Sequence, residues 1–414
     1  MLKEQYKRRW ITPLLKKMVA ESPVTVLTGA RQVGKTTLLQ HELKNSWQYF
    51  SLDNYDVQGQ LQRNPELIIE GHSHIILDEV QKVPEIFPLI KSAVDRDAKK
   101  RFVLSGSANL LLMSTISESL AGRAEFLDLD PMTKAELSDN PPPQIIVHLL
   151  EGQALNPGQG EFSEYALDDI VWRGGMPAVL SRQEPDSLVR WREGFITSYL
   201  ERDLRQLSQI DNLADFKKLM KLAALRAGNI LNQSDLARDA GLTQPTTHRY
   251  LNLLEISRLM MRLPVYRSSR NLRLIKSPKI MWVDSGLAYH LAGYYNTDQI
   301  QQTHEWGNML ECFVFGQLKA IASLLTPKPN IYYWRTQKGD EIDLIIEYGN
   351  SITAFEIKAA SQVRYEDTRS LQLFMTNHSS KSLGIVLYNG KEIKKLGDRL
   401  FAMPICVLWQ EGGE

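Results

Sequence analysis

The chain has 414 residues, 43% hydrophobic and 23% charged, with 49 lysines and arginines against 48 acids. That is enough chain for several buried cores, and a net charge of +1 excludes a uniformly basic nucleic-acid coat, so any phosphate-binding surface has to be a local patch. Two cysteines, Cys312 and Cys406, exclude a disulfide framework and a cysteine zinc cluster.

At the N-terminus, MLKEQYKRRW has a basic start but no apolar segment after it, and residues 1–20 read as a short amphipathic helix. No run reaches the roughly 18 uncharged apolar residues of a membrane span. The expected compartment is the cytoplasm, with no membrane partner. Residues 23–131 then alternate strand and helix. VTVLTG, WQYFSLD, HIILDE and RFVLSGS are the strand candidates, and such alternation predicts a parallel sheet with helices on both faces.

Gly29-Ala30-Arg31-Gln32-Val33-Gly34-Lys35-Thr36 satisfies G-x-x-x-x-G-K-[ST] in full, with Thr37 following. The glycines let backbone N–H groups face phosphate oxygens, Lys35 reaches the β- and γ-phosphates, and the Thr36 hydroxyl takes Mg²⁺. An apolar strand precedes the loop and a helix follows it, as the chemistry requires. ATP and Mg²⁺ are therefore the expected cofactors. HIILDE ends in Asp78-Glu79, where Asp78 would hold the metal and Glu79 would polarise the attacking water.

This segment resembles the AAA superfamily of ATPases. The resemblance implies a polar γ-phosphate sensor at the end of the RFVLSGS strand, Ser105 or Ser107, and a finger arginine in SLAGRAEFLDLDPMTKAEL, where Arg123 matches. A finger normally enters a neighbour's site, which implies a homo-oligomer, with a hexameric ring as one form. From LTGARQVGKTTLL through ILDEVQKVPE, SLAGR, RGGMPAVL, SYLERDL, SPKIMWVDSGL and WGNMLECFVFGQL to FEIKAA, the whole chain resembles a family of bacterial and archaeal AAA-type ATP-binding proteins with a C-terminal domain of unknown function.

SDNPPPQIIVHLLEGQALNPGQGEF reads as a loop or boundary. Residues 186–291 are mostly helical. ILNQSDLARDAGLTQPTTHRYLNLLEISRLM reads as a helix-turn-helix closed by Gly241 and reopened at Thr243 as N-cap, with Pro245 in the first turn. Its second helix would present Gln244, Thr246, Thr247, His248 and Arg249 to DNA. No acid lies between Glu255 and Asp284, while Arg258, Arg262, Arg267, Arg270, Arg273, Lys276 and Lys279 do, and two strand-like pieces around RSSRNLRLIK look like a wing. Arg249, Arg267, Arg270, Arg273 and Lys276 are the expected nucleic-acid contacts. A protein-docking or interdomain role for the same basic face stays open.

After a helix over 305–325, the chain returns to strands at NIYYWRT, EIDLIIEY, SITAFEIKA and SLGIVLYNG. Strand periodicity puts Glu356 and Lys358 on one face, and a hairpin at YGNS brings Asp343 beside Glu356. Asp343, Glu356 and Glu311 are candidate oxygen ligands for Mg²⁺, with Lys358 steadying the water or scissile phosphate. This constellation resembles the PD-(D/E)xK nuclease superfamily, except that Ile342 stands where a proline often precedes the Asp. The expected fold class is α/β, divided into an AAA-type P-loop core (1–137), a linker and helical lid-like region (138–210), a winged helix-turn-helix (211–295) and a nuclease-like domain (296–414). The expected function is an ATP-driven machine or switch acting on DNA, with metal-dependent cleavage open, or alternatively a switch that remodels protein partners.

Overall fold

The computed structural model describes residues 6–106, 118–153, 162–163, 165–199, 210, 212–267, 277–298, 300–378 and 382–410. The chain divides into two compact units, one of residues 1–131 with 256–259 and the other of 132–255 with 260–414.

The first unit is built on β1 (Val24–Thr28), β2 (Gln48–Ser51), β3 (His74–Asp78), β4 (Arg101–Ser105) and β5 (Ala124–Asp128). They form one parallel sheet in the order β2-β3-β4-β1-β5. Every residue of β1 is buried, the near-continuous apolar run that a strand covered on both faces requires. Ile75, Leu77, Phe102 and Leu104 join Val24 and Val26 in one core with Phe87 and Ile90 of the helix Phe87–Arg96. Each fully buried side chain of this size contributes about 1.5–3 kcal/mol. The register pairs Ser51 with Asp78, Asp78 with Ser105, Leu27 with Ser105 and Thr28 with Asp128. The carboxyl ends of all five strands therefore form one crest, the edge at which open α/β sheets bind ligands. β5 was not foreseen, because AEFLD carries two acids in five residues.

In the second unit, the Pro142-Pro143 stretch does not open a loop. Pro143 is the N-cap of a helix, Gln144–Leu150, whose Ile146, Leu149 and Leu150 are buried. The prolines stop short of the hydrogen-bonded turns, so they begin the helix instead of breaking it. The helices Leu213–Ala224, Gln233–Ala240 and Gln244–Ile256 follow. Gly241 closes the second in the left-handed region, and the Thr243 hydroxyl accepts the Thr246 N–H at 3.3 Å to open the third. β6 (Met260–Leu263) and β7 (Lys279–Trp282) pair antiparallel. The expected wing strands thus flank RSSRNLRLIK, most of which lies outside the described residues. Trp282 ties the pair to the first helix by donating to the Ala223 carbonyl at 3.2 Å.

A six-stranded sheet completes the unit, from β8 (Asn330–Arg335), β9 (Glu341–Tyr348), β10 (Ser351–Lys358), β11 (Ser382–Tyr388), β12 (Lys394–Gly397) and β13 (Leu400–Pro404). Its order is β12-β13-β11-β10-β9-β8. The β9–β10 hairpin turns on Gly349 at φ 58°, with Tyr348 paired to Ser351. The helix Trp306–Ala322 packs on β10. Among the described residues, no helix is long and apolar enough to cross a membrane.

Candidate functional site

The loop after β1 has the backbone that its sequence demands. Gly34 sits at φ 98°, ψ 21° as the N-cap of the helix Lys35–Glu42. A Cβ on Gly29 would run into the Leu129 carbonyl, so only glycine lets the loop pass β5. Lys35 is buried, and its ammonium donates to the carbonyls of Gly29 (3.0 Å) and Ala30 (2.9 Å). Arg9, which the sequence did not single out, clamps the loop from behind. Its guanidinium donates to Val33 O at 3.0 Å and to Asp130 O at 2.6 Å.

Asp78, 2% exposed, is the hub. One carboxylate oxygen accepts from Thr36 Oγ1 (2.6 Å) and the Tyr49 hydroxyl (2.7 Å), and the other from Ser105 Oγ and the Glu79 N–H. Thr36 and Asp78 side by side are the hydroxyl and carboxylate that hold Mg²⁺ in phosphate-loop sites, so these donors fit the ion that accompanies ATP. Ser105 spends its proton on Asp78. It positions that carboxylate, and Ser107 lies outside the described residues. Glu79 stands at φ 58°, ψ 42°, in the left-handed region. Burial raises its carboxyl above the ordinary range, Asp78 adds to this, and a hydrogen bond from Gln81 and the Lys35 charge oppose it. A raised carboxylate beside a cation-lined loop suits a general base.

Arg123 immediately precedes β5, an edge strand of the sheet. Its carbonyl accepts from Val24, the first residue of β1, so about 13 Å of strand separates it from the loop of its own chain. Its guanidinium is paired with Asp95, at 2.6 and 2.9 Å. A finger role for Arg123 therefore requires a second chain. Arg123→Ala is expected to slow hydrolysis with nucleotide affinity unchanged. Mixing it with Lys35→Ala protein should restore part of the activity, because mixed interfaces pair an intact loop with an intact arginine. A turnover strictly proportional to protein concentration, without complementation, would remove the finger.

The helix Gln244–Ile256 exposes Gln244 and His248 and half-buries Arg249, whose guanidinium lies 5.4 Å from the Tyr250 ring centroid. Thr247 is buried and cannot read a base, a correction to the expected contact set. Of the seven cations between Glu255 and Asp284, three are paired with acids of the chain. Arg258 pairs with Asp128 (2.9 Å), Arg262 with Glu255 (2.6 Å), and Lys279 is buried. Arg267 is described, while Arg270, Arg273 and Lys276 lie outside the described residues.

The C-terminal carboxylates do converge. Asp343 lies across from Glu356 and accepts the Ile357 N–H at 2.8 Å, and Lys358 pairs with Glu356 at 2.8 Å. Burial, with Asp343 nearby, pushes the Glu356 carboxyl up to about 8, against the pull of Lys358. Burial and Asp343 also raise Glu311 well above the ordinary range. The expected Mg²⁺ set of Asp343, Glu356 and Glu311 nevertheless does not fit a metal. Lys279 reaches both oxygens of Glu311, at 3.1 and 3.2 Å, and no group of three His, Cys, Asp or Glu among the described residues is disposed around an ion. Glu341 and Lys279 were missed as members of this cluster. The alternation Glu341-Ile342-Asp343 on one strand face was the available signal for the first.

A parallel 2-3-4-1-5 sheet with a phosphate loop after β1 and an Asp-Glu pair at the end of β3 defines an ATP-binding P-loop ATPase of the AAA type. Residues 21–138 match the family model described as an AAA domain, and residues 164–298 and 306–408 match two domains of unknown function, DUF8612 and DUF4143. Uncharacterized proteins of Mycobacterium tuberculosis and Mycobacterium bovis are each 32% identical over 400 residues, 96% of this chain and 83% of theirs. The chain belongs to this family of AAA-domain ATPases with a C-terminal DUF4143 domain. Among solved structures, it is similar to the Walker-type ATPase of Pyrococcus abyssi, at 16% identity and a TM-score of 0.47, covering 70% of this chain and 97% of that one.

Proposed function

We propose that the protein is an ATP-hydrolysing switch that acts on DNA. Mg²⁺ accompanies ATP at Thr36 and Asp78, and hydrolysis is completed by Arg123 of a neighbouring copy in a homo-oligomer. The observation that carries the DNA reading is the module of three helices and the β6–β7 pair, a winged-helix arrangement. Its third helix starts on a Thr243 cap and turns Gln244 and His248 outward, at the turn where recognition helices meet base edges. In this reading, the C-terminal domain is a nuclease-like platform that binds without cutting.

One observation favours a second reading, a switch that docks a protein partner. Arg258, Arg262 and Lys279 are each paired with an acid of this chain, and Lys279 is buried, which weakens a phosphate-facing patch. Turnover of ATP measured with and without duplex, forked and single-stranded DNA separates the two. A several-fold stimulation by one DNA form, lost at high salt, is the expected result. Identical turnover with every DNA at low salt would leave the protein-docking reading standing in its place.

A further inference from the structure

Lys279 opens β7 and is 1% exposed. Its ammonium lies 2.6 Å from Glu341, 3.1 and 3.2 Å from the two oxygens of Glu311, and 3.8 Å from Asp343. Three donors meet three oxygens, and Asp343 adds a fourth oxygen at Coulombic range. The carboxylates come from the helix Trp306–Ala322 and from β9, so one side chain joins the β6–β7 pair to two elements of the six-stranded region. A lysine at this depth survives only when fully paired. Its own burial lowers it, but Glu311, Asp343 and Glu341 outweigh that and hold it charged.

We propose that Lys279 is a tethered cation that takes the place of a divalent metal in the carboxylate cluster of the C-terminal domain. Mg²⁺ needs oxygen ligands at about 2.0–2.1 Å in near-octahedral array. The ammonium engages both oxygens of Glu311 and one of Glu341 and lies 3.8 Å from Asp343, and a second cation beside it would be repelled. The cluster is thus closed to metal by a residue on β7, more than thirty residues before the nearest of the carboxylates in sequence. The inference stands whether or not DNA stimulates the ATPase.

The test is thermal unfolding of the full, nucleotide-free chain in EDTA and in Mn²⁺, with bound Mn²⁺ counted by electron paramagnetic resonance. Wild type should unfold at one temperature in both. Lys279→Ala in EDTA should unfold on the order of 10 °C lower, because it leaves buried carboxylates unpaired. Mn²⁺ at about a hundredfold over its Kd should raise that variant by roughly 5 °C, with one more ion bound per chain than in wild type. Lys279→Ala/Asp343→Asn should lose the gain. A Mn²⁺-dependent rise in wild type that Asp343→Asn abolishes would overturn the proposal, as would a Lys279→Ala protein that matches wild type in EDTA. Should Lys279→Ala not fold, the wild-type arm still decides, together with Lys279→Met/Glu311→Gln/Glu341→Gln. That neutral set should fold and bind no extra Mn²⁺, and its failure to fold would refute the counter-ion role.

Discussion

Lys35→Ala should lower ATP affinity by roughly 10- to 100-fold, the loss of one or two charge-assisted hydrogen bonds to phosphate. It should lower turnover by a further factor of about 10²–10³, since the same ammonium faces the charge that develops during transfer. The fold should persist. Lys35 donates to the Gly29 and Ala30 carbonyls, at 3.0 and 2.9 Å, and without it Arg9 still clamps the loop at Val33 and Asp130. Binding of a fluorescent ATP analogue, phosphate release and the melting temperature, measured side by side, test this. A variant that hydrolyses ATP within threefold of wild type would place the phosphates elsewhere.

Glu79→Gln separates binding from chemistry. Gln keeps the size and the left-handed backbone at φ 58°, and it leaves Asp78 and its donors in place, but it cannot take a proton from water. ATP should bind as in wild type, while turnover falls by about 10²–10⁴. The sign of the pH dependence follows from the raised carboxyl. The base works only when deprotonated, so wild-type turnover should fall on acidification through a value above that of an ordinary glutamate, and burial is the cause. In Glu79→Gln that acid limb should vanish along with the rate. A variant that turns over normally, or that keeps the same limb, would assign the base to another group.

The nucleotide site was legible because its chemistry is local. Gly29, Gly34, Lys35 and Thr36 are fixed by one loop, and Asp78-Glu79 by the end of one strand. The hairpin that pairs Asp343 with Glu356 was legible for the same reason, since two strands and a two-residue turn set its register. What escaped was long-range. Arg9 reaches Val33 from the lead-in segment, and Ser105 turns to Asp78 only because β3 and β4 are neighbours. Lys279 was counted with a basic patch because sequence shows charge and not direction. The carboxylates that claim it lie on elements that nothing near KIMW specifies. The helix over Gln144–Leu150 was hidden by prolines whose effect depends on whether they precede the first turn or interrupt it.

The conformation of Glu79 bears on any attempt to improve this protein by selection. A non-glycine residue in the left-handed region costs about 1–2 kcal/mol, and glycine there costs almost nothing. Glu79→Gly would relieve that cost and discard the carboxylate. A variant library sorted for heat tolerance alone should therefore enrich glycine at position 79. The survivors would be sturdier proteins that hold ATP and no longer spend it, so sequencing the sorted pool at this codon tells whether hydrolysis was kept under selection.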